Sequence, residues 1–355
     1  MSDTLDLTRR LVSIPSHEDE REAGDAVESW LRAETDATVR RDDAGVIARR
    51  GDGAHSLALV GHHDVVPPAD EQTAGGAYVV EARDGRLHGR GTADMKGSLA
   101  AAMVAFRDAD PTTELVFASF TGEEQGGVGA RAAIDAGFSP DYAVVGEGST
   151  GYSATGVTDV AVAHKGRRGS TLVAEGSSAH ASEPDAGENA VYRACDAVDV
   201  VRGLDAPVAT VLGQELRGSV AVTEIDGGSA WNVIPDRCEV TVDERTVPDE
   251  RADLERVESA PGVEWVVDQD LPPMACDDAD FAATVLDAAR SVQEGRPEHV
   301  AKPHATDAGW LAAAGTTCVV CGAAEPGEAH TAEESVAIEV LERCERLYRR
   351  VAESV

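Results

Sequence analysis

Four short apolar runs, each followed within two residues by glycine, constrain the fold of this chain more than any other feature. They occupy residues 56–60, 114–120, 142–145 and 316–320. Their lengths and their aliphatic and β-branched side chains favour buried strands over helices. Helical stretches alternate with these runs, and such alternation predicts an α/β fold.

The sequence pattern changes in the middle of the chain. Residues 170–174, 220–225 and 238–243 alternate apolar and polar side chains. Such alternation predicts strands with one polar face, as in an antiparallel sheet that carries helices on one side only. We therefore expect a first domain at residues 1–157, an inserted α+β domain at residues 158–268, and a return to the first domain at residues 269–355.

The charge of the chain is strongly negative. Asp and Glu total 65 against 31 Lys and Arg, which gives a net charge of −34, and lysine occurs only at positions 96, 165 and 302. The acidic residues are spread over the predicted surface helices. This distribution favours a solvated acidic shell suited to high salt, where self-repulsion is screened, over a concentrated patch for a cationic partner. So negative a surface excludes nucleic acid as a partner.

The cysteines and the absence of long apolar stretches indicate a cytoplasmic protein, which we expect in a high-salt cytoplasm and without a membrane partner. Six cysteines over 355 residues do not form a dense disulfide framework. No signal-peptide pattern occurs, and no segment approaches the ~18–20 apolar residues that span a bilayer. Cys318 and Cys321 have the spacing of a redox or zinc motif. They fall in an apolar run, where we interpret them as core residues.

Side chains of metal-ligand type stand in the segments that follow the predicted strands or just before an alanine-rich helix. They are His62, Asp94, the pair Glu123-Glu124, Glu147 and His330. Ligands of open α/β sheets bind beyond the carboxyl ends of the strands. Imidazoles and carboxylates are the groups that bind hard-to-borderline divalent metals. A single surface His or Glu is usually structural, but five loops that deliver such groups favour a metal site over an acidic cluster without function.

These motifs, taken together, resemble the M20 metallopeptidase family. The resemblance rests on residues 61–67 (Gly-His-His-Asp-Val-Val-Pro), residues 89–97 (Gly-Arg-Gly-Thr-Ala-Asp-Met-Lys-Gly), the Glu123-Glu124 pair and the late His330. It covers almost the whole chain in the right order. It implies a zinc-binding catalytic domain that is interrupted by a smaller lid domain, through which the protein forms a homodimer.

The resemblance also implies two divalent metal ions per chain, with zinc favoured and cobalt or manganese left open. His62 and Glu147 would bind one ion, and Glu124 and His330 the other. Asp94 would bridge the two ions, and the peptide bond that follows it would be cis.

Catalytic roles follow from the same resemblance. Asp64 would orient the imidazole of His62. Glu123 would be the general base, since a metal-bound carboxylate would be a poor base and the adjacent Glu124 is the ligand. His180, in a motif of the inserted domain, would stabilise the oxyanion of the tetrahedral intermediate, typically in the active site of a partner subunit.

Substrate-binding residues are implied at five positions, with one departure from the family pattern. They are Arg167, Ser170, Asn232, Arg245 and Thr306. Arginine suits a substrate carboxylate because its planar fork makes two parallel hydrogen bonds, although ion pairs with surface carboxylates are an alternative role. The desuccinylase branch carries Gly-Thr-Ser-Asp where residues 304–307 read His-Ala-Thr-Asp, so the acyl group stays open.

The sequence thus predicts a metal-dependent amidohydrolase that removes an N-acyl group from a small amino acid. Succinyl-diaminopimelate desuccinylases and acetylornithine deacetylases of the family have this activity. A dipeptidase or carboxypeptidase with the same metal centre is the alternative among enzymes. A cation-binding acidic protein without catalytic activity is a third alternative, but it would have no need of a base beside a ligand glutamate.

Overall fold

The computed structural model describes residues 2–355, and eight α-helices are formed within this range. They are α1 (Asp3–Val12), α2 (Arg21–Glu34), α3 (Gly97–Asp108), α4 (Val128–Asp135), α5 (Ala190–Arg202), α6 (Ala279–Ser291), α7 (Asp307–Ala313) and α8 (Ile338–Ala352). Among the described residues, no helix is both long and apolar enough to cross a bilayer.

Twenty strands are formed in the same range. They are β1 (Thr38–Asp42), β2 (Gly45–Arg50), β3 (Ser56–His62), β4 (Thr73–Ala74), β5 (Ala77–Tyr78), β6 (Glu81–Arg83), β7 (Arg86–His88), β8 (Glu114–Phe120), β9 (Tyr142–Val145), β10 (Val160–His164), β11 (Arg167–Glu175), β12 (Val208–Val211), β13 (Gln214–Arg217), β14 (Ser219–Gly227), β15 (Arg237–Arg245), β16 (Val263–Leu271), β17 (Met274–Ala275), β18 (His299–Lys302), β19 (Thr317–Val320) and β20 (Ser335–Ala337).

The largest sheet has the order β1-β2-β8-β3-β9-β19-β10-β17, with β18 also paired to β10. The four predicted apolar strands lie side by side in its centre as β8, β3, β9 and β19, and they run parallel. His62 pairs with Phe120, and Val145 pairs with both Val60 and Val320. The carboxyl ends of these strands therefore meet at one edge of the sheet. The prediction of an α/β fold is confirmed.

Helices cover both faces of this sheet. On one face α3 and α8 pack together, and Leu99, Met103 and Phe106 of α3 are fully buried. On the other face α4 and α7 contribute Ala130 and Leu311 to a second apolar layer. A parallel sheet that is covered on both faces needs strands that are apolar throughout. This requirement explains why the four central strands appear in the sequence as continuous apolar runs.

A smaller, antiparallel sheet has the order β14-β15-β11-β16. Side chains along β11 and β15 alternate between buried and less buried positions. Leu172 and Val240 on the buried face pack against Ala194 and Ala197 of α5. We refer to this second domain as the lid.

The chain crosses between the two domains at residues 165–166 and 272–273. The predicted boundary at residue 158 assigned β10 to the inserted domain, but β10 pairs with β17, β18 and β19 of the large sheet. All five residues of β10 are buried, as expected of a strand inside an α/β sheet. At the other boundary, β16 continues the lid sheet to Leu271, beyond the predicted residue 268.

Cys318 lies in β19 and Cys321 directly follows this strand, inside the large domain. Both thiols are free and fully buried. Burial raises the pKa of each thiol well above its ordinary value. A buried, protonated thiol is neither a metal ligand nor a redox nucleophile. The interpretation of these two residues as core residues is confirmed.

Candidate metal centre

The five predicted metal ligands converge at the carboxyl edge of the large sheet. His62 is the last residue of β3, Glu124 follows β8, and Glu147 follows β9. His330 lies in the loop after β19, and Asp94 lies just before α3. The parallel central strands bring these loops together although they are distant in sequence.

The ligand atoms form two triads that share one carboxylate. In the first triad, Nε2 of His62 lies 3.1 Å from Oδ1 of Asp94 and 3.2 Å from Oε1 of Glu147. In the second, Nε2 of His330 lies 3.1 Å from Oδ2 of Asp94 and 2.9 Å from Oε1 of Glu124. Asp94 thus offers a different oxygen to each triad, which is the arrangement of a bridging ligand.

The spacing of these atoms fits two divalent cations. Tetrahedral coordination with bonds of ~2.0–2.1 Å places the donor atoms about 3.3 Å apart. The imidazole nitrogen of each triad lies 2.9 to 3.2 Å from its two carboxylate oxygens, close to that value. All three ligand atoms of each triad lie within 4.8 Å of one another. Each triad combines one imidazole with two carboxylates, a donor set that suits a borderline divalent metal.

The charges of the cluster favour a cation in the same place. Hydrogen bonds to Asp94 and Glu124 raise the pKa of His330 to about 10. Burial by itself would raise the pKa of Asp94, but hydrogen bonds to His330 and His62 lower it below its ordinary value. The metal-free cluster therefore holds a proton on an imidazole where a cation would bind, and metal binding would release it.

Asp64 connects His62 to the turn that carries the two adjacent glutamates. Its Oδ1 lies 3.3 Å from Nδ1 of His62. The same carboxylate accepts hydrogen bonds from the backbone N–H groups of Glu123, at 3.2 Å, and of Glu124, at 3.1 Å. One buried carboxylate thus orients a ligand of the first triad and fixes the loop that supplies a ligand of the second.

Glu334 holds the loop that carries the bridging Asp94. Its Oε1 accepts hydrogen bonds from the backbone N–H groups of Gly91, Ala93 and Asp94, at 2.9, 3.0 and 3.2 Å. Its other oxygen pairs with the buried guanidinium of Arg90. The Asp94–Met95 peptide bond in this loop is cis, the form that the family resemblance implies.

The packing beside the first triad requires a small residue at position 61. A Cβ atom at Gly61 would lie 2.5 Å from Cε of Met95, a distance shorter than the nonbonded contacts that Cβ atoms make in proteins. Gly61 directly precedes His62, and Met95 directly follows Asp94. A larger residue at position 61 would require the buried side chain of Met95 to move.

Glu123 lines the same cavity as the ligands but belongs to neither triad. Burial raises the pKa of the Glu123 carboxyl well above its ordinary value, and the negative charges of Asp307 and Glu147 act in the same direction. A carboxylate with a raised pKa accepts protons more readily, as a general base near neutral pH must.

The cavity beside the two triads has a volume of about 260 Å³. Its walls include Tyr152, Lys302, His304 and the loop at residues 324–330. Ala305 and Thr306, at the departure from the family pattern, also line it.

The predicted lid residues His180 and Asn232 do not line this cavity. They lie in two paired loops, where His180 bridges to Val233 and the N–H of Ala181 donates to the carbonyl of Asn232 at 2.9 Å. Both residues are exposed, and the adjacent Trp231 is 100% exposed. We call residues 179–182 with residues 230–234 the lid tip.

The predicted substrate residues on the lid strands are likewise separate from the metals in this conformation. Arg167 and Arg245 both pair with Asp243, at 2.6 and 2.8 Å. The hydroxyl of Ser170 is buried without a hydrogen-bond partner on the face of β11 that is opposite to Arg167. Substrate contacts by these residues therefore stay predictions.

Thr306, predicted to bind substrate, has structural hydrogen bonds. Its hydroxyl accepts from the N–H of Ala308 at 3.2 Å, which caps α7. It also lies 3.2 Å from Nε2 of the buried His164. Part of the residue still faces the cavity.

Sequence reasoning missed three residues that the structure places at the site: Tyr152, Lys302 and Glu334. Tyr152 and Glu334 carry no signal in the sequence that separates them from other tyrosines and glutamates. Lys302 does carry a signal, because lysine is scarce in this chain. Lys96, another of the three lysines, is also buried in this region and donates to the carbonyl of Ile14 at 2.7 Å.

The family of the chain follows from comparison with known proteins. A model of the peptidase family M20/M25/M40 matches residues 58–354, which is most of the chain. The chain belongs to the M20 family. The resemblance drawn from the motifs is confirmed, and this M20 protein is a metal-dependent hydrolase.

Curated relatives and solved structures of similar proteins extend this finding. The M20 chain is 32% identical to the succinyl-diaminopimelate desuccinylase of Rhizorhabdus wittichii. The matched region covers 66% of this chain and 65% of that protein. It is 31% identical to the acetylornithine deacetylase of Myxococcus xanthus, covering 87% of this chain and 84% of the relative. The crystal structure of the aminopeptidase PepT from Bacillus cereus has the same fold, with a TM-score of 0.79 over 99% of this chain and 98% of that one at 20% identity.

Proposed function

We propose that this protein is a co-catalytic di-zinc amidohydrolase that removes an N-acyl group from an amino acid. The observation that carries the proposal is the different placement of two adjacent glutamates. Glu124 belongs to a ligand triad, whereas Glu123 faces the same cavity and remains unligated. Relatives named as a desuccinylase and a deacetylase, at 32% and 31% identity, support an N-acyl amino acid as the substrate.

The residues of the chain divide the chemistry as follows. Two divalent ions would supply Lewis-acid activation of a water molecule and of the scissile carbonyl. Glu123 takes the proton of the attacking water and returns it to the nitrogen of the departing amine. Asp64 keeps the imidazole of His62 and the Glu123-Glu124 turn in fixed positions throughout.

We further propose that the protein is a homodimer and that the lid tip completes the active site of the partner subunit. In support, His180 and Asn232 are exposed and make contacts with their own loops instead of the cavity. A large apolar side chain such as Trp231, fully exposed beside them, favours contact with another surface. From there, the imidazole of His180 would donate to the developing oxyanion.

The activity is tested with metal analysis and a panel of substrates. The purified protein is expected to hold about two zinc ions per chain and to lose activity to a chelator. N-Acyl amino acids are expected to show a higher kcat/KM than dipeptides with the same amino acid. The opposite order would identify a dipeptidase with the same metal centre, and hydrolysis of neither class would refute the proposal.

We also propose that the acidic surface adapts the protein to a high-salt cytoplasm. The screening length falls from ~10 Å in 0.1 M salt to ~3 Å in 1 M salt, so the repulsion among the excess acidic groups weakens as salt rises. The melting temperature is therefore expected to increase steeply with KCl. Equal melting temperatures in dilute and molar KCl would contradict this adaptation.

A further inference from the structure

Lys302 places a positive charge in the wall of the metal cavity. It is the last residue of β18, and its side chain is 5% exposed. Its Nζ lies 3.9 Å from Oε2 of Glu147, which is longer than a hydrogen bond. A buried ammonium is costly unless hydrogen-bond acceptors surround it. Among the described residues, Lys302 lacks an acceptor at hydrogen-bond distance, so a molecule bound in the cavity can supply one.

The composition of the chain makes this lysine unusual. Lysine occurs at only three positions among 355 residues, and arginine supplies the other cationic side chains. Most of these arginines form ion pairs with neighbouring carboxylates, as Arg49 does with Glu114 and Arg237 with Glu239. An ammonium is a compact point charge, whereas a guanidinium is a wide planar fork. The ammonium therefore needs less room beside Glu147 than a guanidinium would.

The carboxylates nearest to Lys302 belong to the metal cluster. Glu147, Asp94 and Glu123 act on its charge, and Glu147 and Asp94 belong to the ligand triads. Bound cations would offset these negative charges, so the ammonium would be available to an anionic group in the cavity.

Two further groups beside Lys302 can donate hydrogen bonds. Tyr152 and His304 line the same cavity. Tyr152 lies near Glu147, and burial raises the pKa of its phenol to about 12, so the hydroxyl keeps its proton. Neither residue belongs to the ligand triads.

We propose that Lys302, together with Tyr152 and His304, binds a carboxylate on the acyl group of the substrate. The inference rests on the proposed amidohydrolase function and narrows it to dicarboxylic acyl groups such as succinyl. An N-acyl amino acid presents two ends to the enzyme. Asn232 and Arg245 of the lid are the predicted partners of the amino acid's own carboxylate, which leaves Lys302 of the catalytic domain for a carboxylate at the acyl end.

The experiment compares N-succinyl-L-ornithine with N-acetyl-L-ornithine in the zinc-loaded protein at high KCl. The kcat/KM of the wild type is expected to be about 10- to 100-fold higher for the succinyl substrate than for the acetyl substrate. This factor corresponds to the contribution of one hydrogen bond to a charged group. Lys302→Met removes the charge but keeps the length of the side chain, and it is expected to abolish this preference. Lys302→Arg keeps the charge and is expected to retain most of it.

Binding of free succinate provides a second measurement that does not depend on turnover. Calorimetry with the zinc-loaded wild type is expected to show tighter binding of succinate than of acetate, and Lys302→Met is expected to remove the difference. If Lys302→Met does not fold, the wild-type comparison of the two anions and the Lys302→Arg variant decide the question.

Three results would overturn the inference, and they differ from a failure of the amidohydrolase proposal. Equal or better hydrolysis of the acetyl substrate by the wild type would exclude an anionic acyl subsite while leaving the amidohydrolase intact. An equal loss of both activities in Lys302→Met, or equal binding of succinate and acetate, would do the same. Hydrolysis of dipeptides alone would refute the amidohydrolase proposal itself.

Discussion

The same family motifs identify residues in the metal centre and in the lid tip. The structure brings the first group together in one cluster and leaves the second group exposed. The five predicted ligands of the metal centre lie far apart in the sequence, and each of the two imidazoles lies within hydrogen-bond distance of two of the three carboxylates. His180 and Asn232 of the lid tip are exposed and contact only their own neighbouring loops. One site is assembled by the fold of a single domain, whereas the other has no partner within the described chain.

The difference shows what holds each group of residues in place. Parallel strands end at a common edge, so the sheet itself positions His62, Glu124 and Glu147. The lid tip extends from a separate sheet, and its position relative to a metal centre depends on domain closure or on a second subunit. Predictions for the metal centre therefore concern single chains, and those for the lid tip concern pairs of chains.

The largest expected effect comes from Glu123, the proposed general base in the metal centre. Glu123→Gln is expected to lower kcat by ~10²–10⁴-fold because the proton of the attacking water has no acceptor. Metal content is expected to stay unchanged, since Glu123 belongs to neither triad. Glu124→Gln is the matched control at the adjacent position and should lose metal as well as activity. A near-normal kcat in Glu123→Gln would remove this residue from the mechanism.

His180→Ala at the lid tip is expected to lower kcat by ~10²–10³-fold, the effect of losing one oxyanion donor, with full metal content. Mixing this variant with Glu123→Gln tests whether the lid tip acts on the partner subunit. Mixed dimers would then contain one site with both residues intact, and activity would reappear on mixing. A mixture without recovered activity, in a protein that exchanges subunits, would place His180 and Glu123 in the same chain's site.

A smaller effect is expected at the support of the bridging carboxylate. Glu334→Gln weakens the hydrogen bonds to the loop of Asp94, and it is expected to reduce metal affinity by ~10–100-fold. Titration against a competing chelator measures the change. The neighbouring Glu333 is exposed, so Glu333→Gln should bind metal like the wild type. Unchanged affinity in Glu334→Gln would show that the loop keeps its position without this carboxylate.

The smallest effect concerns the buried His164, which contacts Thr306 beneath the cavity. Burial lowers the pKa of His164 from 6.5 to about 3. Between these values the unfolded chain binds a proton and the folded protein does not, so the free energy of unfolding falls as pH drops from about 6.5 towards 3. At about 1.4 kcal/mol per pH unit, this residue destabilises the fold by about 2 kcal/mol at pH 5.

His164→Gln should remove that part of the pH dependence, which denaturation in urea at pH 7 and pH 5 would measure. The exposed His180 serves as the control, because His180→Gln leaves the buried imidazole of His164 in place and should keep the wild-type slope. If His164→Gln also keeps that slope, the imidazole is not held neutral in the fold.

Several features of the fold could be predicted because they depend on local pattern. The four apolar runs became the parallel core, because a strand buried on both faces must be apolar throughout. The boundary near residue 158 was placed too early, because β10 is a short strand whose membership of the large sheet depends on pairing with β18, far along the chain. Lys302 was not predicted as a site residue. The sequence shows that lysine is rare in this chain but does not show that this lysine lies in the wall of the cavity.

The sequence by itself determined the family, the α/β architecture and the residue types that face the metals, since these follow from apolar periodicity and from motifs in a fixed order. Only the tertiary structure decided that Asp94 offers one oxygen to each triad, that Glu334 holds its loop, and that Lys302 enters the cavity wall. The physical reason is that strand and helix patterns act over a few residues. The distances among ligands are set by pairing between strands that lie far apart in the chain.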